Sequence, residues 1–243
     1  MGRILTIAHR GASADAPENT LPAFEAALAA GADALELDVH MAADGALVVI
    51  HDAALGRTTN GQGLVGAHTL ADLRRLDAGA WFGPAFAGTA VPTLGEVAAL
   101  ARGRARLFVE IKGGSDFYPG IEVAVIRCLK EGGVLREAVL MSFDHPALLA
   151  VQSAALEVET AALLEGRPAD PVGVAAAARA GGLALEHQLI TARERALTAA
   201  AGLRLYAWTV AEEARMRRLV DLGVDGIITN HPGRLRRLLG DSA

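Results

Sequence analysis

The sequence predicts a single (β/α)8 barrel, a TIM barrel of the α/β class, formed by residues 1–243. Short β-type runs alternate with longer Ala/Leu-rich helical stretches, which is typical of a parallel sheet built from repeated βα units. Eight such units follow one another, and one barrel usually takes about 250 residues. Neither a G-x-G-x-x-G loop nor a P-loop occurs, and this argues against an open nucleotide-binding sheet.

The eight predicted strands are short apolar runs at residues 4–9, 34–40, 106–111, 138–143, 160–164, 183–186, 203–209 and 226–229. A helical stretch follows each of them, at residues 21–30, 94–101, 121–130, 146–154, 171–180, 192–201, 211–222 and 232–239. Gly31, Gly202 and Gly223 each come just after a helical stretch and before a strand, where glycine is the expected helix stop.

One segment, residues 53–93, interrupts the alternation of strands and helices. It contains Trp81, Phe82 and Phe86, several glycines and no clear barrel strand. We therefore expect a small cap inserted after the second strand and covering the mouth of the barrel, with Asn60-Gly61 forming a turn.

Composition limits the possible partners and location of the protein. The chain is 52% hydrophobic and 21% charged, without an apolar run of about 18 residues, so we expect no membrane insertion. No export signal is visible before His9, so the cytoplasm is the expected location. A net charge of -5 argues against a nucleic-acid partner. Cys128 is the only cysteine, which excludes an internal disulfide and a cysteine-based metal cage.

Carboxylates cluster on two predicted strands. Glu36 and Asp38 are two residues apart and therefore point to the same side of their strand. Glu110 adds a third carboxylate at the corresponding end of the next barrel strand. A solvated strand edge is the alternative, but Leu37 and Val39 alternate with the acids and favour burial. Three hard oxygen donors predict one divalent cation, Mg²⁺ or Ca²⁺.

Two histidines are predicted to reach this acidic cluster. His9 ends the first strand, on the side where barrel enzymes carry out their chemistry. The pair Asp44-Gly45 predicts a tight turn that returns His51 to the acids, opposite Asp38 with a two-residue loop or opposite Glu36 with a four-residue loop. Two histidines beside a cation fit phosphodiester cleavage, in which one removes a proton and the other supplies one.

Further residues are assigned to binding or to structure. Arg10 and Lys112 can hold phosphate oxygens. Asn19 either caps the helix that begins near Leu21 or contributes to the site. His187 and Asn230 are secondary candidates at the rim of the site, whereas the structural histidines are His40, His68, His145 and His231.

An ordered set of motifs resembles the glycerophosphodiester phosphodiesterase family. The motifs are His9-Arg10-Gly11, Pro17-Glu18-Asn19-Thr20, Glu36-Leu37-Asp38, His51-Asp52, Glu110-Ile111-Lys112 and Trp208-Thr209. The resemblance implies metal-dependent hydrolysis of glycerophosphodiesters to glycerol 3-phosphate and an alcohol. It also places the loop with Glu18 and Asn19 at the site, and Trp208 can pack over the glycerol moiety.

Other functions remain open at this stage. A lysophospholipase D-type enzyme acting on lipid-like diesters is the first alternative, and a non-catalytic barrel that binds phosphorylated ligands is the second. A barrel isomerase or aldolase with Lys112 as a Schiff base is disfavoured, because Glu110 beside it keeps the amine charged. His9 is assigned as the base and His51 as the acid, and the sequence leaves the alcohol group, the choice of ion and the oligomeric state open.

Overall fold

A computed structural model describes residues 3–240 as a closed parallel barrel surrounded by helices. The strands are β1 (Leu5–His9), β2 (Ala34–Met41), β3 (Leu47–Val49), β4 (Arg106–Ile111), β5 (Ala138–Ser142), β6 (Glu159–Leu164), β7 (Gly182–Glu186), β8 (Arg204–Trp208) and β9 (Gly226–Thr229). The helices are α1 (Leu21–Ala29), α2 (Leu70–Leu73), α3 (Leu94–Ala101), α4 (Gly114–Phe117), α5 (Ile121–Glu131), α6 (His145–Ala154), α7 (Pro171–Ala177), α8 (Ala192–Ala200), α9 (Glu213–Leu222) and α10 (Pro232–Leu238).

Every strand except β3 belongs to the barrel. The hydrogen-bonded order is β1-β9-β8-β7-β6-β5-β4-β2, with parallel pairing throughout, and β1 also pairs with β2 to close the ring. The strand β3 pairs antiparallel with β2 outside this ring. The predicted (β/α)8 barrel is therefore confirmed.

The interior of the barrel is an apolar layer that continues into a polar mouth. Ile7, Phe108, Met141, Tyr206 and Ile228 pack together inside the ring. Because strand side chains alternate with a period of two, the residues two positions further on point to the same side, now at the carboxyl ends of the strands. Those residues are His9, Glu110, Phe143, Trp208 and Asn230. The same alternation that fills the core thus builds the functional face.

The hairpin between β2 and β3 corrects the predicted register. The loop has three residues, 43–45, and ends at Gly45 with a positive φ of 81°. A left-handed last residue is typical of three-residue hairpin loops. Ile50 N donates to Asp38 O at 3.1 Å, so both predicted pairings of His51 with an acid were wrong. His51 follows one residue later, still at the mouth.

The segment 53–93 has its own small apolar cluster, shared with β3. Leu55, Val65, Leu73 and Val91 pack there against Val48. Trp81, Phe82 and Phe86 contact one another edge to face, at 5.6 and 5.4 Å between ring centroids. The segment therefore folds around side chains of its own, while its role as a cap over the mouth stays a prediction.

Among the described residues 3–240, the helices are too short or too polar to cross a membrane. The α-helices range from four residues in α2 to 11 in α5.

Candidate active site

A sharp turn at the end of β1 directs Arg10 into the mouth. Arg10 and Gly11 both have positive φ, 55° and 86°. Gly11 lies so close to α1 that a Cβ there would be 2.6 Å from the backbone carbonyl carbon of Ala23, which explains why glycine follows Arg10. The turn aims Arg10 N at Glu36, where it donates to Oε2 at 2.9 Å.

The three predicted acids lie together at the mouth. One carboxylate oxygen from each of Glu36, Asp38 and Glu110 lies within 4.8 Å of the other two, and all three residues are buried. The strand register brings them together, because Asp38 of β2 is the neighbour of Glu110 in β4.

Two cationic side chains pair with these acids. Arg10 Nε lies 3.1 Å from Asp38 Oδ2. Lys112 Nζ lies 3.0 Å from Asp38 Oδ1 and 2.5 Å from Glu110 Oε1. Burial of Lys112 opposes its charge, but the two carboxylates outweigh that effect and raise the pKa of the ammonium. The charged amine is unsuited to a Schiff base, and its assignment to phosphate stays a prediction.

The pKa values of the three acids show that the two neighbouring cations do not neutralise all of them. Burial and the neighbouring Asp38 raise the pKa of Glu36 well above its usual value and that of Glu110 to about 7. Asp38 behaves oppositely: burial opposes its ionisation, but Lys112 and Arg10 hold its pKa far below the usual value. Three carboxylates face two cations, so one negative charge would be unmatched if all three ionised, and the raised pKa of Glu36 favours its protonated form. Carboxylate oxygens are the preferred ligands of Mg²⁺ and Ca²⁺, and the cluster fits a divalent cation.

Each of the two predicted histidines is held through Nδ1. His9 Nδ1 lies 2.6 Å from Asn230 Oδ1, and His51 Nδ1 lies 2.5 Å from Asp52 Oδ1. Both acceptors are oxygens, so in each ring Nδ1 carries a hydrogen and Nε2 remains for proton exchange. The two rings line the same cavity as Glu36 and Glu110.

Burial favours the neutral form of both rings. Burial, and then the charge of Arg10, lower the pKa of His9 from 6.5 to about 4. Burial also lowers the pKa of His51, against the opposing effect of Asp38. A neutral imidazole can accept a proton, and this suits the role predicted for His9.

Glu18 and Asn19 both contribute to the mouth. Glu18 Oε1 accepts from Arg10 Nη1 at 2.8 Å. Asn19 Nδ2 donates to Asp38 Oδ2 at 2.8 Å. The alternative that Asn19 only caps a helix is wrong, since Thr20 is the N-cap of α1. Asn19 has a positive φ of 57°, which turns its amide away from the helix and towards the acid.

An aromatic wall faces the charged residues across the cavity. Phe143 and Trp208 contact each other edge to face at 5.5 Å between ring centroids, and both line the cavity. Trp208 Nε1 donates to Ala184 O at 2.9 Å, which fixes the indole in the barrel wall. The position of Trp208 suits the predicted contact with a substrate carbon skeleton.

The secondary candidates occupy different places. Asn230 is the direct partner of His9, closer to the site than predicted. His187 lies in a neighbouring groove, where Arg215 Nε donates to its Nδ1 at 3.1 Å. His40 is structural as predicted, since its Nδ1 contacts Tyr118 Oη and its Nε2 contacts His51 O, both at 2.9 Å.

The remaining histidines predicted to be structural also make local contacts. His68 Nδ1 contacts Leu64 O at 2.9 Å, and His145 Nε2 contacts Leu163 O at 3.1 Å. The backbone N of His231 donates to Thr229 Oγ1 at 3.0 Å.

Sequence reasoning missed Asp52 as the partner of His51, Phe143 as a wall of the cavity, and Arg57. Asp52 is adjacent to His51 in the chain, and this adjacency was an available signal. Phe143 follows β5 by one residue, so its place on the inward side could also be read from the strand alternation. Arg57 carries no such signal, because the segment 53–93 has no strand periodicity.

The fold and the site together define a barrel enzyme. In (β/α)8 barrels, chemistry occurs at the carboxyl ends of the strands. His9, Glu36 and Glu110, whose pKa values are strongly shifted, line one cavity at that end of this barrel. Such gathering is typical of a catalytic site.

Comparison with known proteins identifies which barrel enzyme this is. Residues 9–234 match the model of the glycerophosphoryl diester phosphodiesterase family. A glycerophosphodiester phosphodiesterase of Caldanaerobacter subterraneus subsp. tengcongensis is 40% identical over 238 residues, which cover 98% of each chain. One from Bacillus subtilis is 38% identical, over 95% of this chain and 84% of the relative.

Solved structures agree with the sequence comparison. An Oleispira antarctica phosphodiesterase, solved in complex with the product sn-glycerol-3-phosphate, superposes with a TM-score of 0.91 and 28% identity, covering 97% of this chain and 96% of that one. A glycerophosphodiester phosphodiesterase from Agrobacterium tumefaciens has a TM-score of 0.83 and 33% identity, covering 98% of this chain and 100% of that one. The chain belongs to the glycerophosphoryl diester phosphodiesterase family and is a phosphodiester hydrolase.

Proposed function

We propose that the protein hydrolyses glycerophosphodiesters, such as deacylated phospholipid head groups, to glycerol 3-phosphate and an alcohol. The observation that carries this proposal is the placement of two histidines, each held through Nδ1, in one cavity with the acidic cluster. The product bound by the Oleispira antarctica phosphodiesterase supports the same product here.

One Mg²⁺ or Ca²⁺ held by Glu36, Asp38 and Glu110 completes the proposed site. When bound, the ion polarises the phosphate and offsets the negative charge that develops on it. Arg10 and Lys112 lie beside these acids and are the groups we assign to the phosphate oxygens, which an arginine can hold through two parallel hydrogen bonds.

His9 is the proposed general base and His51 the proposed general acid. His9 is neutral at pH 7 and presents a free Nε2, so it can remove the proton from the attacking oxygen. The carboxylate of Asp52 favours the protonated form of His51, and a bound anionic diester adds to that preference. The protonated ring can then deliver its proton to the leaving alkoxide.

The direct test is release of glycerol 3-phosphate from several glycerophosphodiesters, such as the choline, ethanolamine and inositol esters. We expect release with Mg²⁺ or Ca²⁺ and none in excess chelator. Absence of release from every ester, with either ion present, would contradict the proposal and favour a binding protein.

A lysophospholipase D-type activity is the second candidate, since apolar side chains stand near the mouth. Phe117, at the end of the helix that follows β4, is 71% exposed, and Phe143 after β5 is 45% exposed. Apolar surface of this kind suits a substrate with an acyl chain. Release of lysophosphatidic acid from lysophosphatidylcholine, faster than glycerol 3-phosphate from the deacylated ester, would favour this candidate.

The same proposal includes a single barrel domain in which residues 53–93 form a cap over the mouth. It also includes a cytoplasmic location. The -5 net charge supports a small-molecule substrate over a nucleic acid.

A further inference from the structure

One guanidinium, that of Arg57, joins the carboxylates that hold two different groups of the site. Its Nε donates to Asp52 Oδ2 at 2.6 Å, and its Nη1 donates to Glu18 Oε2 at 2.9 Å. Its Nη2 donates to both residues, to Glu18 Oε1 at 2.8 Å and to Asp52 Oδ1 at 3.1 Å. Each carboxylate therefore receives two hydrogen bonds from the same planar group.

The two oxygens that accept from Arg57 Nη2 are the same oxygens that contact His51 and Arg10. Asp52 Oδ1 is the partner of His51 Nδ1, and Glu18 Oε1 is the partner of Arg10 Nη1. Arg57 thus fixes both carboxylates in the orientation in which they hold the histidine and the arginine. A lysine could not do this, because one ammonium lacks the planar fork that binds two carboxylates.

The position of Arg57 in the chain makes this link unexpected. It belongs to the segment 53–93, whereas Glu18 lies 39 residues earlier, in the loop before α1. The segment is therefore joined to the first βα loop directly beside the site. Exposed ion pairs usually contribute little, but Glu18 is only 14% exposed, and four bonds to two carboxylates form a network.

We propose that Arg57 is a positioning residue for catalysis, which sets the orientation of His51 through Asp52 and that of Arg10 through Glu18. The inference rests on the proposed hydrolase function. Arg57 lies in the segment 53–93 and orients two side chains that act in the proposed reaction. Its hydrogen bonds go to Asp52 and Glu18 and not to the carboxylates assigned to the cation.

The test compares Arg57→Ala with Arg104→Ala. Arg104 makes a similar two-bond pair with Glu25 and is similarly exposed, 47% against 44% for Arg57. It lies before β4, at the opposite end of the barrel. We expect Arg57→Ala to lower kcat about 10–100-fold, as for other residues that orient site groups, and Arg104→Ala to keep the wild-type kcat. The rise in melting temperature on adding Ca²⁺ should be the same in both.

A double-mutant cycle separates positioning from general damage. If Arg57 acts through Asp52, the Arg57→Ala/Asp52→Asn protein should be little slower than the worse single variant. Millimolar guanidinium should restore part of the activity of Arg57→Ala and none of Asp52→Asn. The proposal would be overturned if the kcat losses of the two single variants multiplied in the double variant and guanidinium restored no activity. A kcat of Arg57→Ala within twofold of wild type would also overturn it. If Arg57→Ala unfolds at the assay temperature, Arg57→Gln replaces it with the same expectations.

A readout without substrate distinguishes failure of this inference from failure of the proposed function. Nitrogen NMR of the His51 ring should show hydrogen on Nδ1 in the wild type and in Arg104→Ala, and a mixture of tautomers in Arg57→Ala. An inactive wild type with this tautomer change would refute the hydrolase function and keep the positioning role. An unchanged ring in Arg57→Ala would refute the positioning role even if the wild type is active.

Discussion

His9 and His51 differ most in what holds them. The amide oxygen of Asn230 contacts His9 Nδ1, and burial and then Arg10 are the largest effects that lower the pKa of this ring. A carboxylate holds His51, and this favours a proton on the ring. Burial lowers the pKa of both rings, so the two histidines differ in the partner of Nδ1 and not in the direction of the shift. The proposed division of labour follows from this difference between Asn230 and Asp52.

Replacing either histidine by alanine should lower turnover about 10²–10⁴-fold, because each transfers a proton in the same reaction. The losses should not multiply in the double variant. A substrate with p-nitrophenolate as leaving group distinguishes the roles, since this group departs with little protonation. We expect it to rescue His51→Ala and to leave His9→Ala slow in steady-state assays. Rescue of His9→Ala alone would reverse the assignment, and equal behaviour of the two variants would refute it.

The junction between β1 and α1 shows how an element sets a site residue. Arg10 reaches the acids because the chain turns sharply at Gly11, against the backbone of Ala23. Gly11→Ala should lower the free energy of unfolding by roughly 3 kcal/mol, from the strain of positive φ and from overpacking. Urea unfolding measures this loss. Gly45→Ala is the matched control, because its φ is 81° and nothing lies within 4 Å of the added Cβ. Its cost should be about 1 kcal/mol, and equal costs would contradict the packing argument.

At the scale of elements, the sequence predicted the strand bounds that depend on the local pattern of apolar residues and turns. The strand at residues 106–111 and the one at 226–229 have the predicted bounds, because their apolar runs are bounded by turns. The register of β3 was missed by one residue, since Asp44-Gly45 indicates a turn without fixing whether the loop has two, three or four residues. Hairpin register follows from loop length, which is a property of the backbone conformation.

Contacts distant in sequence were harder to predict. His9 and Asn230 are 221 residues apart, yet the closure of the barrel pairs Ala8 with Thr229 and so places them side by side. That contact could have been inferred once eight strands were counted. The contacts of Arg57 could not, because the conformation of the segment 53–93 depends on its own apolar packing.

For the whole molecule, removal of the cation should change both activity and stability. Chelation should abolish turnover, and Mg²⁺ or Ca²⁺ should restore it. A ligand that binds only the folded state stabilises it, by about 2.7 kcal/mol at 100 times its Kd. Thermal melts should therefore show a cation-dependent rise in the wild type and in Glu25→Gln, which alters an exposed acid. Glu36→Gln should lack the rise. Full activity in excess chelator, or an equal rise in Glu36→Gln, would place the site elsewhere.

The stability of the whole barrel should also depend on alkaline pH through Tyr206. This residue is 2% exposed in the interior, where burial and then Glu159 raise its pKa to about 12. An unfolded tyrosine titrates near pH 10, so the folded state keeps its proton over a range in which the unfolded state loses it. Stability should therefore fall between about pH 10 and 12, with Tyr206 contributing about 2 kcal/mol of the loss. Urea unfolding at pH 9 and pH 12 measures the fall, which Tyr206→Phe should reduce. An equal fall in Tyr206→Phe would contradict the assignment.

The excess of buried carboxylates over cationic side chains in the acidic cluster implies that two different ligands bind cooperatively. A phosphodiester is an anion, and a divalent cation bound to these carboxylates makes the electrostatic potential of the mouth more positive. Cation and diester should each tighten the binding of the other, and thermodynamic linkage requires the two factors to be equal. The affinity of the protein for its cation should therefore be highest at saturating substrate. A chelator should remove the cation most readily when substrate is scarce.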